Sequence, residues 1–242
     1  MESYKYDLHV HTREGSACGR ASGAEMAEAA AQRGYAGLVI TDHFFNGNTT
    51  AAPELSWQEK VQVLKEGYLH AKQRGEQLGL EVFFGWEFGY SGSDFLTYGL
   101  DTDWLLAHPD VHKLPLYDYL QLVRQAGGMT IHAHPFREAW YVHVMRLVPE
   151  LEDAVEVYNT SHQDPAFNAR AAWYAEAYGL PGVSGSDAHS QEALKGGILL
   201  SHPVHSIREL MTAIRNREMV GLCTGTEIEW KSERRDRDSG RR

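Results

Sequence analysis

The feature that most constrains the fold of this chain is an alternation of short apolar runs with stretches of helical spacing. The apolar runs are candidate strands, and they lie at residues 6–10, 37–41, 80–84, 95–98, 129–132, 154–158, 182–184 and 198–200. Strands that alternate with helices form a parallel sheet that the helices cover. Because seven or eight such units fit a closed barrel better than an open sheet, we predict an α/β fold with a single (β/α) barrel.

The start signals of helices support this interpretation. A Ser that precedes a Glu by three residues is the signature of a capping box, and it occurs at residues 22–25, 56–59 and 206–209. Residues 116–126 and 165–178 also carry apolar side chains at helical spacing. Each of these segments follows a candidate strand, as the alternation requires.

The chain is acidic, with 23 Lys and Arg against 33 Asp and Glu and a net charge of −10. Because such a surface repels phosphate backbones and anionic lipids, we expect neither long nucleic acid nor a membrane among its partners.

Its two cysteines, Cys18 and Cys223, cannot form a disulfide framework. Residues 1–7 lack an apolar signal core, and no apolar run is long enough to span a bilayer, so we expect a cytoplasmic protein. The sequence does not indicate an oligomeric state.

The composition changes once, near the C-terminal end. Residues 231–242 are mostly charged and include no apolar side chain that would anchor them to a core. We therefore expect one domain at residues 1–230 and a charged, disordered tail at residues 231–242.

Histidine and carboxylate side chains stand at the C-terminal ends of several candidate strands. The first strand ends in DLHVH, and His9 and His11 point to the same side because residues i and i+2 of a strand share a face. Further groups of this kind are Asp42 and His43 in ITDH, Glu87 in GWE, His132 and His134 in HAHP, and Asp187 and His189 in GSDAH. The C-terminal ends of barrel strands meet at one face, where barrel enzymes place their active sites.

This set of imidazoles and carboxylates is too large for a single ion. It suits two or three ions, because bridging carboxylates offset the repulsion between neighbouring cations. Imidazole ligands suit Zn, Mn and Fe. The sequence therefore predicts two or three divalent metal ions, of Zn, Mn or Fe, at this face.

The motifs DLHVHT, ITDH, a strand-end Glu, AHP and SDAH occur in this order between His9 and His189. Together they resemble the PHP (polymerase and histidinol phosphatase) superfamily. The resemblance implies a distorted (β/α)7 barrel whose di- or trinuclear metal centre hydrolyses phosphate esters. It implies that the metal ligands are His9, His11, His43, Glu87, His134, Asp187 and His189, with Glu87 as a bridging acid. Asp42 precedes a ligand, and we expect it to support that ligand from behind.

Two positions depart from the family pattern. An Asp or His often follows the second histidine of the first motif by five or six residues, where this chain has Ser16 and Ala17, with Glu14 and Cys18 close by. We expect Cys18 to be a packed or free thiol, with ligation as a thiolate as the alternative. The family also often has a histidine at the fourth strand, where Asp94 is the candidate substitute. We therefore expect a dinuclear centre with a weak third position.

The catalytic hypothesis is an in-line attack on the phosphate by a hydroxide that bridges two of the ions. Charge on the phosphate oxygens needs further cations, and the candidates for binding the substrate are Arg137 in HPFR and Arg20 after the first strand. His162 follows another strand end and is a candidate for protonating the leaving alcohol or binding the substrate, with a structural role as the alternative. Residues 44–55 and 91–115 are expected to set specificity.

The expected function is that of a metal-dependent phosphoesterase acting on a small phosphorylated metabolite, with phosphomonoesters favoured. One alternative is a nucleotide or short-oligonucleotide phosphodiesterase, or a nuclease, with the same site. A second is a metal-dependent amidohydrolase, which also begins with an HxH pair but usually lacks the TDH motif and the histidine after DxH. A third is a non-catalytic metal-binding module. The sequence leaves the substrate and the metal open.

Overall fold

The computed structural model describes residues 3–225 and 227–228, so the tail expected at residues 231–242 lies outside the described residues. The strands are β1 (Tyr4–Val10), β2 (Tyr35–Ile40), β3 (Glu81–Tyr90), β4 (Ser93–Tyr98), β5 (Met129–Ala133), β6 (Ala154–Asn159), β7 (Gly182–Gly185), β8 (Gly196–Leu200), β9 (Met219–Thr224) and β10 (Glu227–Ile228). The α-helices are α1 (Gly23–Gln32), α2 (Trp57–Leu78), α3 (Thr102–Ala107), α4 (Leu116–Gln125), α5 (Pro165–Tyr178) and α6 (Ile207–Arg215). Each predicted strand and helix is present, and α3, β9 and β10 are additional.

The helices begin where the capping signals predict. In α1 and α2 both halves of the capping box are formed, at Ser22 and at Ser56. The box before α6 is only half formed, because the Glu209 carboxylate accepts a hydrogen bond from the backbone N–H of His205. None of the helices in the described part of the chain has the length and apolarity of a bilayer span.

The sheet is mixed, which corrects the expectation of a parallel sheet. Its strands lie in the order β10-β9-β8-β1-β2-β3-β4-β5-β6-β7. The pairs β1–β2, β2–β3, β5–β6 and β6–β7 are parallel, whereas β4 is antiparallel to β3 and β5, and β8 is antiparallel to β1 and β9. The link between β3 and β4 explains the first reversal. It consists of Ser91 and Gly92, with φ of 49° and 90°, and so short a turn allows only an antiparallel return.

The sheet nearly closes into a barrel because the segment after β7 reaches back to β1. Val10 pairs with Ala188 in a parallel bridge, and the backbone N–H of His11 donates to the Ala188 carbonyl at 2.9 Å. The carboxylate of Asp7 adds a second tie by accepting the backbone N–H of Ser186 at 3.0 Å. The predicted barrel with surrounding helices is thus confirmed, whereas a strict sevenfold (β/α) repeat is not.

Strand β1 carries both apolar and charged side chains into the buried part of the barrel. Tyr6 and Leu8 are buried in an apolar cluster that also contains Tyr174 of α5. Asp7 and His9 of the same strand are fully buried, and a register shift between Asp7 and Val10 interrupts the regular alternation there. The barrel interior therefore holds charged groups that need compensation.

Helix α2 lies directly behind the loops that follow β1 and β2. A Cβ atom at position 67 would lie 2.0 Å from Thr12 Oγ1 and 2.9 Å from Asp42 Oδ2, so Gly67 is what lets the helix approach this closely. Thr12 follows His11, and Asp42 precedes His43. The helix therefore supports two of the predicted ligands from outside the barrel.

Candidate metal centre

The side chains predicted as metal ligands come together at one end of the barrel. They are His9 at the end of β1 and His11 just after it, His43 after β2, Glu87 in β3, His134 after β5, and Asp187 and His189 after β7. Glu87 lies inside its strand rather than after it, because β3 continues to Tyr90 as one arm of the hairpin. The convergence of these strand ends is what the barrel prediction requires.

Among the described residues there are three overlapping groups of side chains. Within each group, the ligand atoms all lie within 4.8 Å of one another. They are His9 with Glu87 and His134, His9 with His11 and Asp187, and His11 with His43 and His189. The groups share His9 and His11, whose Nε2 atoms are 3.0 Å apart. Asp187 Oδ1 lies 3.5 Å from Nε2 of His9 and 3.3 Å from Nε2 of His11. The donor atoms therefore form one continuous cluster with room for more than one ion.

His9 and His11 carry their ring protons on Nδ1, which leaves the two Nε2 atoms available to a cation. His9 Nδ1 donates to Glu156 Oε1 at 3.1 Å. His11 Nδ1 donates to Ser16 Oγ at 3.1 Å, because that hydroxyl gives its own proton to Asp42. With both Nδ1 atoms protonated, two Nε2 lone pairs face each other, and a cation or an added proton must lie beside them.

Glu87 lies at the middle of the cluster. Its Oε1 is 3.3 Å from Nε2 of His9 and 3.1 Å from Nε2 of His134. Its Oε2 is 2.7 Å from Nδ1 of His43, an ion pair when that ring is protonated. The residue is 1% exposed, so this carboxylate is buried among imidazole rings. A divalent ion would balance its charge, and the mixture of imidazole and carboxylate donors fits Zn, Mn or Fe.

The charges of the cluster are strongly coupled. Burial disfavours the charged form of His9, but three neighbouring carboxylates outweigh it and hold its pKa well above the ordinary value. Burial likewise disfavours the Glu87 carboxylate, yet His43 and His9 lower its pKa. The pKa of Asp187 is also lowered despite burial, chiefly by Arg137. Within the described residues, Arg137 is the only Arg or Lys that pairs with these carboxylates, so the centre is built to attract cations.

Asp42 supports the centre from behind, as expected from the sequence. Its Oδ1 accepts the Thr12 N–H at 2.6 Å and the Ser16 hydroxyl at 2.7 Å, and its Oδ2 accepts the Thr12 hydroxyl at 2.6 Å. The Ser16 hydroxyl also accepts the backbone N–H of His43 at 3.0 Å. Burial raises the pKa of Asp42 to about 6. These contacts fix the loops after β1 and β2 relative to each other.

Glu156 of β6 was not singled out from the sequence, yet it positions two of the ligands. Besides His9, it holds the backbone N–H of His134 through Oε2 at 2.9 Å, and Asn159 Nδ2 donates to the same oxygen at 2.9 Å. The signal for it was a charged residue inside the apolar strand AVEVY, where both faces are expected to be buried. A buried Glu in such a strand needs a partner.

Two ligands stand on strained backbone. His134 has φ of 31° and Asp187 has φ of 52°, both in the left-handed region that non-glycine residues rarely adopt. Such residues cost about 1–3 kcal/mol each and cluster at functional sites. Here the conformation is held by the Glu156 bond to His134 and the Arg137 bond to Asp187.

Arg137 and His162 lie together beside the ligands, at the wall of an open cleft of about 540 Å³. Nη2 of Arg137 donates to Asp187 Oδ2 and, at 3.0 Å, to Ser161 Oγ, and its Nε lies 3.4 Å from Nε2 of His162. His162 Nδ1 donates to Asn168 Oδ1 at 2.8 Å. Burial, followed by the Arg137 charge, lowers the pKa of His162 to about 4, so the ring is neutral at pH 7.

Two residues considered in the sequence analysis, Arg20 and Glu14, do not direct their side chains to the centre. The Arg20 side chain is exposed, although its backbone N–H donates to the His189 carbonyl at 2.8 Å. Glu14 points away, because its carboxylate accepts the backbone N–H of Gly23 at 3.2 Å and contacts His70 at 2.8 Å.

The remaining candidates lie at the margin of the cluster. Asp94 Oδ2 is 4.0 Å from Nδ1 of His134, and burial raises the pKa of that carboxyl. Cys18 Sγ is 3.2 Å from Nε2 of His43. Burial disfavours the Cys18 thiolate, but hydrogen bonds with His189 and His43 outweigh it and lower the thiol's pKa to about 6.

His132 is not part of the centre. It is buried, and its Nδ1 donates to Glu152 Oε1 at 2.9 Å. Glu152 in turn accepts the hydroxyl of Tyr174 of α5 at 3.1 Å. His134 rather than His132 therefore joins the cluster, as the motif resemblance implies.

Comparison with known proteins supports the motif interpretation. A family model described as PHP-associated matches residues 165–219. No curated protein matches the sequence significantly. The predicted resemblance to the PHP superfamily is thus confirmed by this match together with the structural neighbours described next.

Several solved structures share the fold. One is a two-domain protein from Bacteroides vulgatus that contains a predicted PHP-like metal-dependent phosphoesterase, with a TM-score of 0.66, 14% identity, and coverage of 90% of this chain and 64% of that one. The present chain therefore spans 64% of the length of that protein. A protein from Bifidobacterium adolescentis that is predicted to be a metal-dependent phosphoesterase aligns with a TM-score of 0.53 and 16% identity, over 88% of this chain and 96% of that one. An amidohydrolase from Chromobacterium violaceum aligns with a TM-score of 0.57 and 18% identity, over 91% of this chain and 98% of that one. At these identities the likeness establishes the fold.

Proposed function

We propose that this protein, with its PHP-type motifs and barrel, is a metal-dependent hydrolase that releases phosphate from a small phosphomonoester. The observation that carries the proposal is the continuous cluster of imidazole and carboxylate donors with a fixed arginine at its edge. His9, His11, His43, Glu87, His134, Asp187 and His189 would hold two or three divalent ions. Such ions, when bound, polarise the phosphate and lower the pKa of water.

In this proposal Arg137 binds the negatively charged phosphate oxygens of the substrate. Its guanidinium is fixed by Asp187, Ser161 and His162, which leaves the Nη1 donors without a partner among the described residues. A guanidinium held in place before the substrate arrives loses little freedom on binding. Its position on the cleft wall allows it to stabilise the phosphoryl oxygens as their charge redistributes.

His162 holds Arg137 in place rather than protonating the leaving alcohol. The proton of its ring is on Nδ1, which donates to Asn168, and its Nε2 faces the Nε–H of Arg137. A neutral ring in this orientation carries no proton on Nε2, the atom that faces Arg137. We therefore assign His162 a positioning role, with Asn168 as the residue that selects its tautomer.

The charge and the size of the cleft favour a small substrate. Asp164 and Asp187 line the cleft, and among its described lining residues Arg137 alone carries a lysine or arginine charge. With a net charge of −10, the chain repels long polyanions. A monoester presents one phosphate to one arginine, whereas a nucleic acid strand presents many and would need a basic track.

A second candidate function is amide or lactone hydrolysis, which the structural likeness to an amidohydrolase favours. The two candidates differ in the need for Arg137. An amide substrate brings no phosphate dianion, so its hydrolysis does not require a guanidinium on the cleft wall.

The test is phosphate release by Mn²⁺-loaded protein from sugar phosphates, histidinol phosphate, nucleoside monophosphates and short oligonucleotides. We expect release from one class of monoester, its loss on chelation and its loss in His9→Ala. His205→Ala is the matched control, because the side chain of that histidine is 68% exposed and lies outside the cluster. Cleavage of amides or of diesters alone would overturn the proposal.

A further inference from the structure

We propose that Cys18 is a further metal ligand, which adds a thiolate to His43 and His189 at the outer edge of the centre. The inference rests on the metal centre of the proposed function. This edge is more open than the rest of the cluster, since the side chains of His43 and His189 are 19% and 29% exposed and that of His9 is 0% exposed.

The distances fit a shared ion. Cys18 Sγ is 3.2 Å from Nε2 of His43, and the thiol also contacts the ring of His189. Zinc–sulfur and zinc–nitrogen bonds of about 2.3 Å and 2.0 Å at a tetrahedral angle place the two ligand atoms about 3.5 Å apart. His43 and His189 already form a potential ligand group with His11, and Cys18 lies just outside that group. A small outward shift of the thiol would therefore complete a set of three imidazoles and one sulfur.

The same imidazole also faces the inner part of the centre. Glu87 Oε2, which is buried, lies 2.7 Å from Nδ1 of His43. The two nitrogens of this ring thus face a carboxylate oxygen on one side and a sulfur on the other. His43 therefore links the position of Cys18 to the carboxylate at the middle of the cluster.

The loop that carries Cys18 is fixed to the residues it would share an ion with. The N–H of Ala17 donates to the Asn48 carbonyl at 2.8 Å, in the loop that follows His43. The N–H of Arg20 donates to the His189 carbonyl at 2.8 Å. The sulfur is therefore held near both histidines by backbone bonds on either side of it.

The consequence concerns metal preference. Thiolate is a soft ligand that favours Zn and Fe, whereas Mn prefers oxygen donors. An outer position with sulfur would select Zn or Fe, while the inner positions, with Glu87 and Asp187, would also accept Mn.

Cobalt substitution of the full-length protein tests the assignment. Co²⁺-loaded wild type and Cys223→Ser should both show a thiolate-to-cobalt charge-transfer band in the near ultraviolet. Cys18→Ser should lose that band, keep the visible cobalt bands of the inner positions, and bind its last ion at least about tenfold more weakly. Visible cobalt bands without a charge-transfer band in the wild type, or a band that survives in Cys18→Ser, would overturn the assignment.

A second measurement needs no variant. Zn²⁺ should protect Cys18 from alkylation by iodoacetamide in the folded wild type and leave the rate at Cys223 unchanged, as read by peptide mass spectrometry. Equal alkylation of Cys18 with and without bound Zn²⁺ would refute the ligand. Phosphate release is measured separately, so a charge-transfer band without hydrolysis would refute the proposed function and leave the ligand standing.

Discussion

Glu156 holds His9 by a 3.1 Å hydrogen bond to Nδ1, and this one contact orients the histidine that two ligand groups share. With the proton on Nδ1, the Nε2 lone pair is directed at the centre. The other oxygen of Glu156 fixes the strained backbone of His134. A carboxylate outside the ligand set therefore sets the geometry of two residues inside it.

Replacing Glu156 with Gln should lower the affinity for divalent metal by about 10–100-fold, because the amide cannot accept hydrogen bonds at both ends. Competition with a chromophoric chelator measures the effect. Glu138→Gln is the control, since that side chain is 58% exposed in an ion pair with Arg170. Wild-type affinity in Glu156→Gln would show that the carboxylate does not position ligands.

Replacing Arg137 with Lys should leave the metal content unchanged and lower kcat/KM for the monoester by about 10²-fold, because an ammonium cannot reproduce the guanidinium contacts. Metal content by mass spectrometry and steady-state kinetics together check this. Arg170→Lys, a change at an exposed ion pair, is the control. If Arg137→Lys retains full turnover, the phosphate is bound elsewhere.

Replacing His162 with Asn should lower kcat without moving the limbs of its pH profile. The wild-type ring, with its pKa lowered to about 4 by burial and by Arg137, stays neutral between pH 5 and 8, so its titration shapes neither limb in that range. His143→Asn, at an exposed loop position, is the control. Disappearance of the basic limb in His162→Asn would instead identify His162 as the proton donor.

Removing the metal should lower the Tm. An ion present at a hundred times its Kd stabilises the native state by about 2.7 kcal/mol, which corresponds to roughly 5–10 °C for a chain of this size. The physical reason is that Glu87 and Asp187 are buried carboxylates whose charge the ion compensates. Scanning calorimetry with and without a chelator measures the shift. An unchanged Tm would mean that the cluster is satisfied without metal.

Much of the centre could be predicted because its ligands are local in sequence. His9 and His11 are two residues apart at the end of a predicted strand, and the strand periodicity predicts that they lie on one side. Asp187 and His189 are also two residues apart and directly follow β7. Each motif stands at the end of a predicted strand, so predicting a barrel was enough to predict that the motifs meet.

The remaining features depend on contacts between distant segments. Glu156 belongs to no local motif, and its role appears only when β6 lies beside β1 and β5. The reversal at Ser91 and Gly92 lengthens β3 and places Glu87 inside a strand, which periodicity could not show. The backbone N–H of Arg20 donates to the His189 carbonyl, so the residue lies near the centre as predicted. Its side chain is exposed, and that direction depends on tertiary contacts that the local sequence does not show.

Hydrolysis of a phosphomonoester by this protein should depend on ions held by this cluster. The most direct test is to titrate chelator-stripped protein with Mn²⁺ while measuring bound metal and released phosphate in the same samples. We expect phosphate release to rise with occupancy of the inner positions and Glu87→Gln to lose both signals together. Phosphate release by metal-free protein, or full occupancy without release from any monoester, would contradict this expectation.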